Sequence, residues 1–300
     1  MEIKKHAYLI IAHDEWEMLK TLVECLDDNR NDIFIHVDKK VDGGVYKSAT
    51  ACCTQAGVYF IDDQKRINVR WGDYSQIMCE LTLFEESRAH GDYAYYHLLS
   101  GHDLPIKSQD YIHKFFEDIP NGANLVGTAT SDFNIQDCWK KTKYYCIFPK
   151  YQRCSPASLQ KTFSALRKVS YCIQRLFCIH RKWGNIQPYK GVNWVSITSD
   201  FVDYILSKKE YIEHQFKYVS CGDEIFIQTL IHNSDFKSTL YQPIEDFGGC
   251  MREIDWERGK PYVFTVEDFE MLKKSEMLFA RKFSYKVDAD IIREICNYIK

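Results

Sequence analysis

The start of the chain leaves few architectures open. Tyr8-Leu9-Ile10-Ile11-Ala12 is an unbroken apolar run, and Trp16, Leu19, Leu22, Val23 and Leu26 then recur at helical spacing. Ile33-Phe34-Ile35-His36-Val37-Asp38 is apolar again up to a polar tip. Strands without polar alternation are buried on both faces, which is the condition of a parallel sheet covered by helices. Short connections between strand, helix and strand fit a right-handed βαβ crossover. The expected fold class is therefore α/β, a central mostly parallel sheet flanked by helices. Ligands of such sheets bind beyond the carboxyl ends of the strands, which puts Ala12, His13 and Asp38 at a binding edge. The chain has no Gly-x-Gly-x-x-Gly after its first strand, which argues against a dinucleotide phosphate loop.

Further strands are expected at Val58–Ile61, Tyr93–Leu99, Ala123–Gly127, Gly191–Thr198 and Thr239–Tyr241. Helices are expected over Tyr74–Arg88, Ser108–Glu117, from a Ser199 cap to Leu206, after a capping box at Thr265–Asp268, and from Asp288. The fourth strand runs into Ser100-Gly101-His102-Asp103-Leu104-Pro105, where Asp103 either lines the cleft or caps a turn. The 300 residues read as one domain, 1–300. A formal charge of −3 gives no reason to expect nucleic acid. No apolar run reaches membrane-spanning length, and Tyr8–Ala12 is too short and too soon polar to be a leader. The 12 Cys form no Cys-x-x-Cys and no Cys/His set with zinc spacing, so reduced thiols and a cytoplasmic location are expected.

Residues 138–190 differ from the rest, with 12 Lys and Arg and no acidic residue. Phe163, Leu166, Val169, Ile173, Leu176 and Phe177 interleave with those charges at three- and four-residue spacing. A basic helical insertion of this kind suits an anionic membrane surface or a lipid-linked acceptor, and the plainer alternative is a packed helix with a solvated face. Peripheral attachment at the inner face of a membrane is the corresponding expectation.

The chemistry concentrates in Ser220-Cys221-Gly222-Asp223-Glu224, which opens into the apolar run Ile225–Leu230. Gly222 permits an unusual backbone angle, Asp223 can cap the helix, and Glu224 falls in its first turn. Acidic residues at helix starts are common as caps alone. What separates this pair is its company: His6–Leu19 with Ile35–Asp38, Trp71-Gly72, Leu98–Ile106, Gly191–Ser196, Cys221–Glu224 and Leu278-Phe279-Ala280-Arg281-Lys282-Phe283, in that order.

Together these segments resemble the core-2/I-branching β-1,6-N-acetylglucosaminyltransferases, glycosyltransferase family 14, which includes peptide O-xylosyltransferases. The resemblance spans nearly the whole chain except the basic segment, and the shortness of the chain resembles bacterial forms. It implies a GT-A-like Rossmann fold, a UDP-N-acetylglucosamine donor, a glycan hydroxyl as acceptor, inversion, and no metal or other cofactor. Glu224 falls on the family's catalytic base, although the usual Ser-Pro-Asp-Glu reads Ser-Cys-Gly-Asp-Glu here. Lys282 matches the family's diphosphate-binding Lys. The Arg that accompanies it is assigned to Arg258, with Lys260 and Arg252 close behind. Ala12, His13 and Asp38 resemble the uridine pocket, and Asp103, Asp223 and Trp256 are assigned to substrate.

The residues bear independently on two of these implications. The one Asp-x-Asp, Asp288-Ala289-Asp290, starts a helix after the last basic motif and reads as a capping pair rather than a metal site. With no metal, fixed cations must offset charge on a leaving diphosphate. An acceptor hydroxyl must also lose a proton as it attacks, which a carboxylate within hydrogen-bond reach can take. Phe-Ala-Arg-Lys-Phe also matches the xylosyltransferase spelling, so xylosyl transfer is the alternative donor reading. A non-catalytic glycan- or nucleotide-binding protein is the alternative of another class.

Overall fold

The first strand, β1 (His6–Ala12), faces two separate cores. Its Tyr8, Ile10 and Ala12 enter one hydrophobic cluster while Ala7 and Leu9 enter another. Side chains alternate across a strand, so a strand buried on both faces must be apolar at every position. The same division splits Ile33 and Ile35 from Phe34, and Leu99 from Leu98. In this computed structural model, residues 4–42, 44–120, 122–241 and 246–300 are described. Met1–Ile3, part of the opening read against a leader, lie outside them.

In chain order, β1 is followed by α1 (Trp16–Cys25), β2 (Asn31–Val37), β3 (Gly57–Phe60), α2 (Ser75–His90) and β4 (Tyr95–Ser100). Next come β5 (Asp103–Pro105), α3 (Gln109–Asp118), β6 (Leu125–Thr128), α4 (Asp132–Lys143) and α5 (Ala157–Leu176). The chain continues through β7 (Gly191–Thr198), α6 (Ser199–Ser207), α7 (Lys209–Phe216) and α8 (Phe226–His232). It ends with β8 (Arg252–Ile254), α9 (Phe269–Lys274), β9 (Phe279–Arg281) and α10 (Ala289–Tyr298).

The main sheet has the order β3-β2-β1-β4-β7-β6. Strands β3, β2, β1 and β4 are parallel neighbours, and β7 pairs antiparallel with β4 and with β6. A small sheet, β5-β9-β8, lies beyond the end of β4 and ties residues 279–281 to Asp103–Pro105. The molecule is thus α/β with a mostly parallel sheet, as expected. The basic segment is helical in α5 and in the end of α4.

Local expectations fare differently where tertiary contacts decide. Ser108 caps α3, its hydroxyl accepting from the Tyr111 N–H at 3.2 Å, and Thr265 with Asp268 forms the expected capping box. Thr239–Tyr241 is not a strand: a 3-10 turn covers Asp235–Thr239, and Leu240 makes a single bridge to Asn124. Ser199 is the first residue of α6, with Thr198 in the cap position.

The entry to β7 is the tightest backbone approach near the site. A Cβ built on Gly191 would lie 1.8 Å from the Gly127 carbonyl oxygen and 2.6 Å from the Gln228 amide nitrogen. Gln228 itself donates to the Val192 carbonyl at 2.7 Å, so the neighbour is held in place and cannot swing aside. The substitution Gly191→Ala should therefore destabilise the protein by about 1–3 kcal/mol, the usual cost of forcing atoms into a filled space. Thermal melting at a fixed pH reads this as a lowered Tm, and an unchanged Tm would show that the strand entry can relax.

Candidate active site

The carboxyl ends of β1, β2 and β4 are held level by backbone bonds. The Asp38 N–H donates to the Ala12 carbonyl at 3.0 Å, and the Gly101 N–H donates to the Ile11 carbonyl at 2.9 Å. At these tips opens a cleft of about 390 Å³. Ala12, His13 and Asp38 line it from the strand ends, Gln76 and Glu80 from α2, and Asn193 and Trp194 from β7. Asp223, Glu224, Trp256, Arg281 and Lys282 complete its wall. A second cleft of about 920 Å³ shares Trp71, Asn193, Trp194, Glu224, Trp256 and Pro261 with the first. Glu224 stands where the two spaces meet.

The loop that delivers Glu224 departs from the expected helix start. Residues Gly222–Glu224 form a 3-10 turn, and α8 begins only at Phe226. Asp223 therefore does not cap α8; its carboxylate turns inward and accepts from the Gln76 amide at 2.9 Å. Cys221, not Gly222, carries the left-handed backbone, with φ 51°. The Cys221 N–H donates to the Gly72 carbonyl at 3.1 Å, so the Trp71-Gly72 loop pins the turn.

Glu224 Oε2 accepts from the Lys141 ammonium at 3.0 Å, with Lys190 3.9 Å away. Asp137 bridges the two lysines, at 2.6 Å from Lys190 and 3.1 Å from Lys141. Burial, the largest single effect, would lower the Lys141 pKa, but Glu224, Cys221 and Asp137 together outweigh it and leave the ammonium raised. Two of the basic segment's lysines thus point into the site rather than to solvent. Among the described residues, the side-chain hydrogen bond to Glu224 falls on Oε2 and none falls on Oε1.

Behind Glu224 lie two buried carboxyls. Burial first, and the charge of Glu224 second, push the Asp223 pKa up to about 7. Burial and then Asp223 push that of Glu80 well up, and neither Glu80 oxygen has a hydrogen-bond partner within reach, although the Asn193 amide lies near enough to oppose the shift. Like charges so close in a dry environment are not all ionised together.

Lys282 follows β9 directly and lines the same cleft. Its N–H donates to the Tyr262 carbonyl at 3.2 Å and its carbonyl accepts from Phe264 at 2.9 Å, which fixes the backbone from which the ammonium projects. Arg281 beside it lies under the Trp194 ring, 4.1 Å from the centroid, with Asp103 at 3.5 Å. Asp103 is fully buried below the cleft and accepts from the Ser100 N–H at 2.9 Å, so it shapes the strand tip and holds Arg281. Arg258 lies outside both clefts, bonded to Asp255 at 2.5 Å and to Asp268 at 2.7 Å. Lys260 lines only the wider cleft. Arg252 is buried between the sheets and donates to the Val195 carbonyl at 2.9 Å.

One group among the described residues has metal-ligand character: donor atoms of His13, Asp14 and His102 lie within 4.8 Å of one another. His102 faces the Phe283 carbonyl at 3.1 Å through Nδ1 and the Asp14 carboxylate at 2.8 Å through Nε2. Asp288 of the Asp-x-Asp caps α10, accepting from the Asp290 and Ile291 N–H groups.

The structure therefore gathers Ala12, His13, Asp38, Asp223, Glu224, Trp256 and Lys282 on one cleft, sets Lys260 in the adjoining one, and leaves Asp103 beneath and Arg258 outside. Sequence reasoning passed over Arg281, Glu80, Gln76, Asn193 and Trp194. Arg281 and Trp194 lay within quoted motifs and were one residue from an assigned position or inside an expected strand. Glu80 carried no signal, being one polar residue in a helix.

A carboxylate at the junction of two strand-tip clefts of an α/β sheet, with cations on the same lining, befits a group-transferring enzyme, and here a glycosyltransferase. The Core-2/I-Branching enzyme family model matches residues 6–278, and the chain belongs to that family. No curated protein sequence matches the chain. Among solved structures, mouse xyloside xylosyltransferase 1 in its apo form is similar at 11% identity and TM-score 0.41, over 92% of this chain and 97% of that one. Galactosyltransferase LgtC, in complex with donor and acceptor sugar analogs, is similar at 9% identity and TM-score 0.45, over 97% of this chain and 95% of that one. Both likenesses are faint, and membership rests on the family match.

The raised Asp223 pKa has a stability consequence. Between 3.8, its ordinary value, and about 7, the folded state holds a proton that the unfolded chain has released. This group's contribution is full below that window and is lost as pH rises through it. Asp223→Asn keeps an amide oxygen for Gln76 and cannot titrate. The Tm of the variant minus that of the wild type should therefore increase with pH across the window, measured by thermal melts in a buffer series. A difference that stays flat would show that Asp223 is ionised throughout.

Proposed function

We propose that this protein transfers N-acetylglucosamine from UDP-N-acetylglucosamine to a glycan hydroxyl, with inversion and without a metal, forming a β-1,6 branch. The reading is carried by one observation: Glu224 and Lys282 line the same cleft, and Glu224 also borders the wider one. In this reading the donor lies at the strand tips, its uridine against Ala12, His13 and Asp38 and its diphosphate toward Lys282. The acceptor lies in the wider cleft against Trp256. Glu224 Oε1 takes the proton of the acceptor hydroxyl while that oxygen attacks the anomeric carbon. The bond from that carbon to the β-phosphate oxygen breaks, UDP leaves with the electron pair, and Lys282 offsets its charge. Lys141 and Lys190 hold Oε2 and so fix the direction of Oε1.

Arg281 is the arginine that lines the cleft beside Lys282, and it takes the place first assigned to Arg258 in this reading. Its closeness to Asp103 and Trp194 makes it a rigid cation, while Lys282 is the freer one.

Glu224→Gln should lower turnover at least ~100-fold, the usual scale for a lost general base. UDP binding, measured by calorimetry, should stay unchanged because the nucleotide contacts lie elsewhere on the cleft. Wild-type turnover in the variant would remove Glu224 as the base.

A metal-dependent version has one observation in its favour, the His13, Asp14 and His102 cluster at the same strand tips. Dialysis against EDTA separates the two. Turnover should survive chelation without added metal; loss on chelation and recovery with manganese would favour the metal-dependent version.

A further inference from the structure

Helix α5 covers twenty residues, of which only Gln174 is buried. One side is fastened to the protein. Gln174 accepts from the Tyr145 N–H at 2.8 Å and donates to its carbonyl at 3.0 Å, and Phe163 stacks on Tyr151 with ring centroids 3.8 Å apart. An adjacent face carries Leu166, Val169, Ile173 and Leu176, continued by Phe177 just past the helix end, and these are 44%, 55%, 48%, 77% and 68% exposed. Single exposed apolar residues are ordinary, but these recur at three- and four-residue spacing and form one continuous stripe. Lys161, Lys168 and Arg175 stand at seven-residue intervals along the same helix, so they form a row of their own, roughly 130° around the helix from the stripe at ~100° per residue.

We propose that this face of α5 docks on an anionic phospholipid membrane. The charge pattern selects that occupant. Residues 138–190 hold 12 cations and no acid, so nothing within the segment neutralises the row. Long cationic stems can reach the headgroups from the side of a helix whose apolar stripe enters the acyl boundary. No helix among the described residues is long and apolar enough to cross a membrane, so the attachment is to the surface. The docking face is joined to the site, because Arg153 lies over the Trp71 ring at 3.8 Å and both residues line the wider cleft. A docked α5 holds that cleft near the bilayer. The inference does not depend on the transfer chemistry proposed above.

The test is sedimentation of the full chain with vesicles of phosphatidylcholine alone and of phosphatidylcholine mixed with phosphatidylglycerol. Binding to the mixed vesicles should be at least ~10-fold tighter, as expected when several cations meet an anionic surface. The double substitution Val169→Asp with Ile173→Asp should abolish it, with an unchanged circular dichroism spectrum because both positions face solvent. Changing Lys161, Lys168 and Arg175 to Gln should reduce binding to the level seen with the neutral vesicles. Equal binding to the two vesicle types, no binding to either, or full binding by the aspartate variant would each overturn the proposal. A vesicle-free dimer in sedimentation velocity that Ile173→Asp dissociates would assign the stripe to a second copy of the chain and overturn it too.

Discussion

The site depends on three parallel strands ending level with one another. The bonds from Asp38 to Ala12 and from Gly101 to Ile11 extend the β1–β2 and β1–β4 ladders by one rung beyond the regular strands. Register in a parallel sheet is set by burial on both faces, since a one-residue slip would exchange the two cores that β1 divides. The alternation of Tyr8, Ile10 and Ala12 with Ala7 and Leu9 therefore fixes where His13 and Asp38 emerge. Everything on the cleft is built outward from that edge: Asp103 shapes the turn after β4, the small sheet pairs Arg281 with Asp103, and Lys282 follows at once.

Charge at the cleft is ordered by depth. Glu80 and Asp223 are buried and both are pushed toward the neutral form, whereas Glu224 is half-exposed and faces two ammonium groups. A deeper carboxylate would repel Glu224, and an unpaired buried charge costs several kcal/mol, so protonation is the cheaper solution for the inner pair. Asp137 serves the opposite need, because Lys141 and Lys190 would otherwise repel each other beside a single carboxylate. The four-membered group of Asp137, Lys141, Lys190 and Glu224 is balanced in charge. The result is a carboxylate held by hydrogen bonding at one oxygen only.

How much of this was legible in the sequence follows the range of the interactions. The strands of the main sheet could be read because burial on both faces writes an apolar run, and the α3 cap and the Thr265 box could be read because a cap is a contact of three residues. Glu224 and Lys282 were found through motifs. The inward turn of Asp223 was not legible, since its partner Gln76 is 147 residues away and a Gly-Asp-Glu run looks like any helix start. Lys141 meets Glu224 across 83 residues, and in the sequence it is one of twelve cations without a distinguishing mark. The surroundings of Arg258 were hidden for the same reason, since its guanidinium meets Asp268 ten residues on and lies outside both clefts.

The basic segment shows why composition alone cannot assign a surface. Read as a sequence it has one character, yet the fold sends its charges to two destinations. Lys141 and Lys190, at its two ends, lie beside elements of the main body and turn into the cleft, where Asp137 and Glu224 neutralise them. Lys161, Lys168 and Arg175, in its middle, ride on a helix that is fastened through Phe163, Arg167, Tyr171 and Gln174 to the stretch just before it and has no acid of its own. A helix placed for core packing would bury its apolar stripe, and α5 instead buries a glutamine and exposes leucine, valine, isoleucine and phenylalanine. Glutamine can tie a helix to a neighbouring backbone with two hydrogen bonds while leaving the apolar face unused. That inversion of the usual order is the physical ground for treating α5 as a surface made for contact rather than as an element of the core.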